Sequence, residues 1–270
     1  MLRDITLGQY FPGSTVVHKL DPRIKLVLTV VYITALFMAK GLPSYLLMLA
    51  ALVASLYLSR IKPTTALRGI RPVIIIILLT MILHIFFTGG DPLFEFWIVS
   101  VSKDGIFTAM YMASRLIMLI IGTFLLTYTT SPIALTDGLE YMLSPLKKIR
   151  FPVHELSMMM SIALRFIPTL IEETDKIMNA QKARGADFET GGLIKRARAI
   201  LPIVIPLFVS AIRRADELAL AMESRCYHGG EGRTRMKTLK TARRDFAALL
   251  TGAIVLTAVI ALRRIDLLPV

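Results

Sequence analysis

The stretch Phe246-Ala247-Ala248-Leu249-Leu250-Thr251-Gly252-Ala253-Ile254-Val255-Leu256-Thr257-Ala258-Val259-Ile260-Ala261-Leu262 decides the fold. It is 17 residues without a charge, bounded by Asp245 and Arg263. A run of this length approaches the roughly 20 residues with which an α-helix crosses the hydrocarbon core of a bilayer. The same signature recurs at about 24–41, 44–59, 72–88 and 105–128. In the first of these the uncharged run is only Leu26 to Ala39, so Lys25 and Lys40 are expected to snorkel toward the two interfaces. Asp21 is placed to cap this helix, and Pro22 fits its first position, where no backbone donor is needed. Pro72 opens the third span after a basic loop of Arg60, Lys62, Arg68 and Arg71. Residues 93–104, with Trp97, read as an interfacial segment. These readings predict an all-α integral membrane protein with about five transmembrane helices.

Composition agrees. At 270 residues, 55% hydrophobic and a mean hydropathy of +0.64, the chain is too apolar for an ordinary soluble domain. The net charge of +13 does not point to nucleic acid, because the lysines and arginines sit beside long apolar runs, as in cytoplasmic membrane loops. The N-terminal segment, the second loop and residues 130–244 carry 27 Lys and Arg residues, against 4 on the opposite side. This excess predicts a cytoplasmic N-terminus, and five spans then put the C-terminus outside the cell. The first 23 residues carry Arg3, Asp4, Asp21 and Arg23 and no apolar core, so the first span is expected to be retained rather than cleaved. A lone cysteine, Cys226, excludes an intramolecular disulfide and a multi-cysteine metal site.

Three regions follow: a four-span membrane domain at 1–129, a polar helical region at 130–244 and a C-terminal transmembrane helix at 245–270. In the middle region Ser131-Pro132 starts a helix, Ser144-Pro145 and Phe151-Pro152 interrupt it, and Pro168 is expected to kink the next one. Ala211, Ala215, Leu218, Ala219 and Met222 recur at helical spacing and give one apolar face. The stretches 156–171 and 199–212 are apolar enough either to pack on other helices or to dip into the bilayer.

No catalytic constellation is apparent. The chain has no Gly-x-x-x-x-Gly-Lys-Ser/Thr phosphate loop and therefore no recognisable ATP site of its own. Gly229-Gly230-Glu231-Gly232-Arg233 reads as a flexible loop. His18, His84, His154 and His228 are scattered, and no metal site is expected. Asp137, Glu140, His154 and Glu155 form no known constellation, yet they are the nearest support for a second reading, an integral membrane enzyme acting on lipid substrates. Arg115 lies inside the fourth span. A charge there costs on the order of 2.5–3.5 kcal/mol, so it should face protein or a water-filled path. A permease that itself binds substrate would need it paired with a second intramembrane charge. Met158-Met159-Met160 is either ordinary apolar filler or an adaptable contact surface.

Two segments share a pattern of small residue, arginine, small residue: Ala183-Arg184-Gly185 and Ser224-Arg225-Cys226, with the arginines 41 positions apart. Each arginine complements the negative end of its helix, an effect of only about 0.3–1 kcal/mol. Small neighbours also leave the guanidinium free to bind a carboxylate or a cluster of carbonyls on a partner.

The chain resembles the transmembrane T components of energy-coupling factor (ECF) transporters, bacterial and archaeal importers of vitamins and micronutrients. The resemblance rests on Tyr10-Phe11-Pro12-Gly13-Ser14 with His18-Lys19-Leu20-Asp21-Pro22-Arg23, on Thr129-Thr130-Ser131-Pro132, and on Ser161-Ile162-Ala163-Leu164-Arg165-Phe166-Ile167-Pro168. Ala180-Gln181-Lys182-Ala183-Arg184-Gly185, Arg213-Arg214-Ala215-Asp216 and Ala221-Met222-Glu223 complete it. It covers nearly the whole chain. It implies an L-shaped membrane subunit with cytoplasmic coupling helices that end in two Ala-Arg-Gly motifs and dock onto a pair of ATP-binding-cassette subunits. Those partners use ATP and Mg; this chain would bind no cofactor. The resemblance also implies a membrane-embedded substrate-binding (S) component, against which Met158, Met159 and Met160 would move. Ala183, Arg184 and Gly185 match the first motif in full. In the second, Ser224 and Cys226 replace alanine and glycine, and cysteine takes a left-handed helix cap less readily than glycine.

Overall fold

A computed structural model of the chain describes residues 10–89, 92–96, 99–186, 188, 192–229 and 239–264. Trp97 and Gly230 to Arg233 lie outside these. The described residues form nine α-helices and one short hairpin, in two compact units. Of the described residues, one unit comprises those up to 138 and from 239 onward, the other those from 139 to 229.

The first unit holds α1 (Pro22–Met38), α2 (Gly41–Ser59), α3 (Pro63–Ile70), α4 (Ile74–Phe87), α5 (Lys103–Thr129) and α9 (Arg243–Arg264). Among the described residues, four stretches are long and apolar enough to cross a membrane: Gly41–Ser59, Pro63–Phe87, Lys103–Thr129 and Arg243–Arg263. The 17 residues of α1 sit at the lower bound for a span. Ala35 and Leu36 of α1 are buried with Met48, Leu52, Ile77 and Val259 in the core of this bundle. The exposed apolar side chains of α4, among them Ile74, Ile75, Leu78, Leu79 and Ile82, suit a lipid-facing surface.

Two local features differ from the sequence reading. The basic loop is confined to Arg60–Lys62, because Pro63 starts α3 nine residues before the expected span. Pro72 is absorbed in a 3-10 turn at Arg71–Val73, so the helix runs on into α4. Residues 92–102 contain β1 (Pro92–Phe96) and β2 (Val99–Ser102), paired antiparallel, with Phe96 opposite Val99. Ser102 then caps α5, its hydroxyl accepting from the Gly105 amide at 2.9 Å.

Hydrogen bonds at both ends of the bundle set the direction of its helices. Lys25 of α1 is buried and donates from Nζ to the Thr129 carbonyl at the end of α5 (2.8 Å), to Thr130 Oγ1 (3.2 Å) and to the His18 carbonyl (3.1 Å). Fourteen residues further along α1, the Ala39 carbonyl accepts from Arg115 at 3.2 Å, and Arg115 precedes Thr129 by the same fourteen residues. Helices α1 and α5 are therefore antiparallel. Lys25 is fixed among protein acceptors, which corrects the expectation that it snorkels. Arg115 is likewise accounted for within the protein. Its guanidinium meets the negative end of α1 and lies 5.9 Å from the Phe37 ring centroid and 5.7 Å from that of Tyr45.

Asp245 joins the N-terminal ends of α1 and α9. One carboxylate oxygen accepts from the Asp21 amide at 2.9 Å, the other from the Ala242 amide at 2.7 Å, the reach-back of a helix cap. Asp21 in turn caps α1 through the Arg23 amide at 2.9 Å. The ends of α1 and α9 that meet here are both N-termini, so the two helices begin at one face of the bundle, and from the start of α1 to the start of α9 the chain crosses an even number of times. Five crossings in all satisfy that.

The segment before α1 is pinned to the same face. Phe11 donates its amide to the Tyr128 carbonyl at 3.0 Å and packs edge-on against the Tyr128 ring at 5.5 Å. His18 Nε2 lies 3.1 Å from the Phe11 carbonyl and must donate to it, so Nδ1 accepts from the Thr15 hydroxyl at 2.6 Å. Burial holds the His18 pKa below its usual value, in keeping with a neutral ring. A Cβ at position 13 would lie 2.8 Å from that ring, which accounts for Gly13.

Candidate functional site

The second unit is built around two 31-residue helices, α7 (Val153–Ala183) and α8 (Leu193–Glu223). Helix α6 (Pro132–Leu143) and a 3-10 turn at Ser144–Ile149 precede them. The breaks fall at Ser144-Pro145 and Phe151-Pro152, where the prolines stop the helices. Pro168 lies inside α7, and Pro202 and Pro206 inside α8, without ending either helix. His154 Nδ1 lies 3.2 Å from Glu140 Oε1 and ties α6 to α7.

Both arginines occupy the same position in the same structure. At the end of α7, Gly185 N donates to the Lys182 carbonyl at 2.9 Å and Ala186 N to the Gln181 carbonyl at 3.0 Å. At the end of α8, Cys226 N donates to the Glu223 carbonyl at 2.8 Å and Tyr227 N to the Met222 carbonyl at 3.1 Å. These are the paired bonds of a Schellman cap, with the residue after the arginine in the left-handed region. Gly185 has φ +84° and Cys226 φ +56°. Cysteine therefore does end α8 as glycine ends α7, in a conformation that costs a residue with a Cβ roughly 1–2 kcal/mol. Cys226→Gly is expected to stabilise the unit by about 1 kcal/mol, and Gly185→Ala to destabilise it by a similar amount. Thermal unfolding of the detergent-solubilised chain measures both.

The residues around each arginine are small, and Ala183, Arg184, Gly185, Ser224, Arg225 and Cys226 are all exposed. Helices α7 and α8 pack on each other through Arg214, which donates to Glu173 Oε2 at 2.8 Å. Glu173 and Arg214 each lie eleven residues before their helix's terminal arginine. Each guanidinium is therefore roughly 16 Å along its own helix from the contact. The Ser210 hydroxyl and then the Arg214 guanidinium hold the Glu173 carboxyl below its usual pKa, in keeping with an ionised acceptor. A body with one guanidinium fork at the end of each of two braced helices suits two acceptor sites on a partner.

This duplicated cap lies in a chain that known proteins match almost end to end. The family model CbiQ, described as cobalt transport protein, matches residues 13–237. The Energy-coupling factor transporter transmembrane protein EcfT of Clostridium kluyveri is 53% identical over 267 residues, 98% of each chain. The proteins of that name from Thermosediminibacter oceani and Acidaminococcus fermentans are each 51% identical, over 92% and 95% of this chain and 94% of their own. The chain belongs to this family of ECF transporter transmembrane proteins. As a member it is a multi-pass membrane protein that forms one part of a transport complex.

Within the ECF framework the other candidates are placed as follows. Met159 is 56% exposed, and Met158 and Met160 are half-buried. The apolar stretch 199–212 forms a more extensive surface on α8, where Leu201, Val204, Ile205, Phe208, Val209 and Ile212 are all exposed. Their three- and four-residue spacing was a legible signal of one helix face. Among the described residues no three His, Cys, Asp or Glu side chains gather.

Proposed function

We propose that this chain is the coupling subunit of an ECF importer for a vitamin or micronutrient. Arg184 and Arg225 dock onto two ATP-binding-cassette subunits, and ATP-driven closure of those subunits moves α7 and α8. The exposed α8 face and the methionines at 158–160 carry that motion to a membrane-embedded S component, which holds the substrate. The basic residues near the start of α1 and in the second loop support a cytoplasmic position for this face of the bundle, with the end of α9 outside.

The observation that carries this reading is the duplicated cap. Helix electrostatics accounts for an arginine at one helix end. It does not account for two helices of equal length, crossing at equivalent residues and ending in equivalent caps with small, exposed neighbours. Purification of the chain with its native neighbours tests the reading. Two ATPase subunits and a small membrane protein should accompany it. A chain that purifies alone and turns over a lipid would contradict it.

A further inference from the structure

Where the loop 11–18 meets the turn between α2 and α3, a cavity of about 550 Å³ opens. Arg60, Lys62 and Arg68 line it, with His18, Thr15 and Thr65. Among the described residues no aspartate or glutamate does. Among the described residues, none of the three cations is in an ion pair. Lys62 is the residue just before α3, and no side chain caps that helix, so its positive end faces the same cavity wall. The like charges of the cluster repel one another, and arginine's planar fork fits phosphate oxygens. Its depth is set by the spans: Gly41–Ser59 ends and Pro63–Phe87 begins here, which is the level of lipid headgroups.

A second cavity, of about 420 Å³, is lined by the chain neighbours of residues that line the first. Val17 and Leu58 line the apolar one, and their chain neighbours His18 and Ser59 line the basic one. Leu28, Val31, Ala54, Leu125 and Val255 make up more of its surface, so it runs into the bundle between α1, α2, α5 and α9. An apolar space of this size is within the range of ligand sites and is unfavourable to leave empty. A basic cavity at headgroup depth beside an apolar one in the hydrocarbon region matches an amphiphile with an anionic phosphate.

We propose that Arg60, Lys62 and Arg68 bind the phosphate of one anionic phospholipid, with an acyl chain in the neighbouring apolar cavity. The lipid would fasten the loop 11–18 to α2 and α3 at the face where the bundle's helices are clasped together. The proposal is independent of ATPase docking, because every residue in it belongs to the first unit.

Native mass spectrometry of the full chain in detergent, supplied with phosphatidylglycerol or phosphatidylcholine, tests it. The wild type should retain one phosphatidylglycerol in preference to phosphatidylcholine. The variant Arg60→Gln, Lys62→Gln, Arg68→Gln should weaken that retention about a hundredfold. All three side chains are exposed, so this variant should fold, as a monodisperse elution profile would verify. Ala54→Phe, which fills the apolar cavity, should weaken lipid retention while leaving competition by inorganic phosphate unchanged. Equal phosphatidylglycerol retention by the triple variant and the wild type would overturn the proposal. So would saturation by inorganic phosphate with no lipid preference, which would mark a free-anion site. Loss of a protein subunit rather than a lipid from the triple variant would also overturn it, by marking a protein contact.

Discussion

The double variant Arg184→Glu, Arg225→Glu is expected to release the ATPase subunits while the membrane subunit still folds. The two possible roles of these arginines differ in magnitude. If they only complement their helix ends, reversing each charge costs about 0.3–1 kcal/mol, and the complex survives. If each is a docking anchor, truncation alone costs about 2 kcal/mol or more, and a reversed charge adds repulsion against the acceptors it used to meet. Two such losses weaken association by at least about a thousandfold. Pull-down of the ATPases with the variant, with its thermal unfolding measured in parallel, separates the roles. Co-purification of an intact complex with the double variant would refute docking. A variant that fails to elute as a monodisperse species would instead point to a structural role.

Asp245→Ala is expected to produce the largest loss of stability in the membrane bundle. The carboxylate is 2% exposed and accepts two backbone amides from segments 224 and 3 residues away in sequence. Hydrogen bonds to a charged group contribute about 1.5–3 kcal/mol each, and the buried Asp21 amide would be left without its acceptor. A loss of about 3 kcal/mol is expected, with Asp245→Asn retaining roughly half of it, because an amide keeps one acceptor. Unfolding followed by thermal shift in detergent should show both steps. An alanine variant as stable as the wild type would mean that the clasp does not hold α1 to α9.

Much of this was legible in the residues. Uncharged runs flanked by charges located the spans, since a bilayer admits few other patterns. Asp21-Pro22 marked the start of α1, and the prolines at 145 and 152 marked the breaks before α7. What could not be read were partners distant in sequence. Lys25 looked like an interfacial residue, because nothing local indicates that the ends of α5 and the loop 15–18 supply its acceptors. Asp245 looked like the polar boundary of a span, and its tie to Asp21 exists only after folding. Pro72 suggested a helix start because a 3-10 turn that carries a helix past a proline has no strong sequence signature. At the site, the arginines and their small neighbours were visible, and so was the departure at Cys226. That cysteine would nonetheless adopt the left-handed cap follows from the rest of the turn, whose two hydrogen bonds offset the strain.

Cys226 also gives the most direct test of the central claim. It is the chain's only cysteine, it is exposed, and it directly follows Arg225. A photoreactive benzophenone attached there can be illuminated after the chain is assembled with its ATPase subunits. Docking predicts a cross-link from Cys226 to an ATPase subunit that disappears in Arg225→Glu. It also predicts that Cys226 in the assembled complex is protected from maleimide. No cross-link, with labelling as fast in the complex as in the isolated chain, would contradict it.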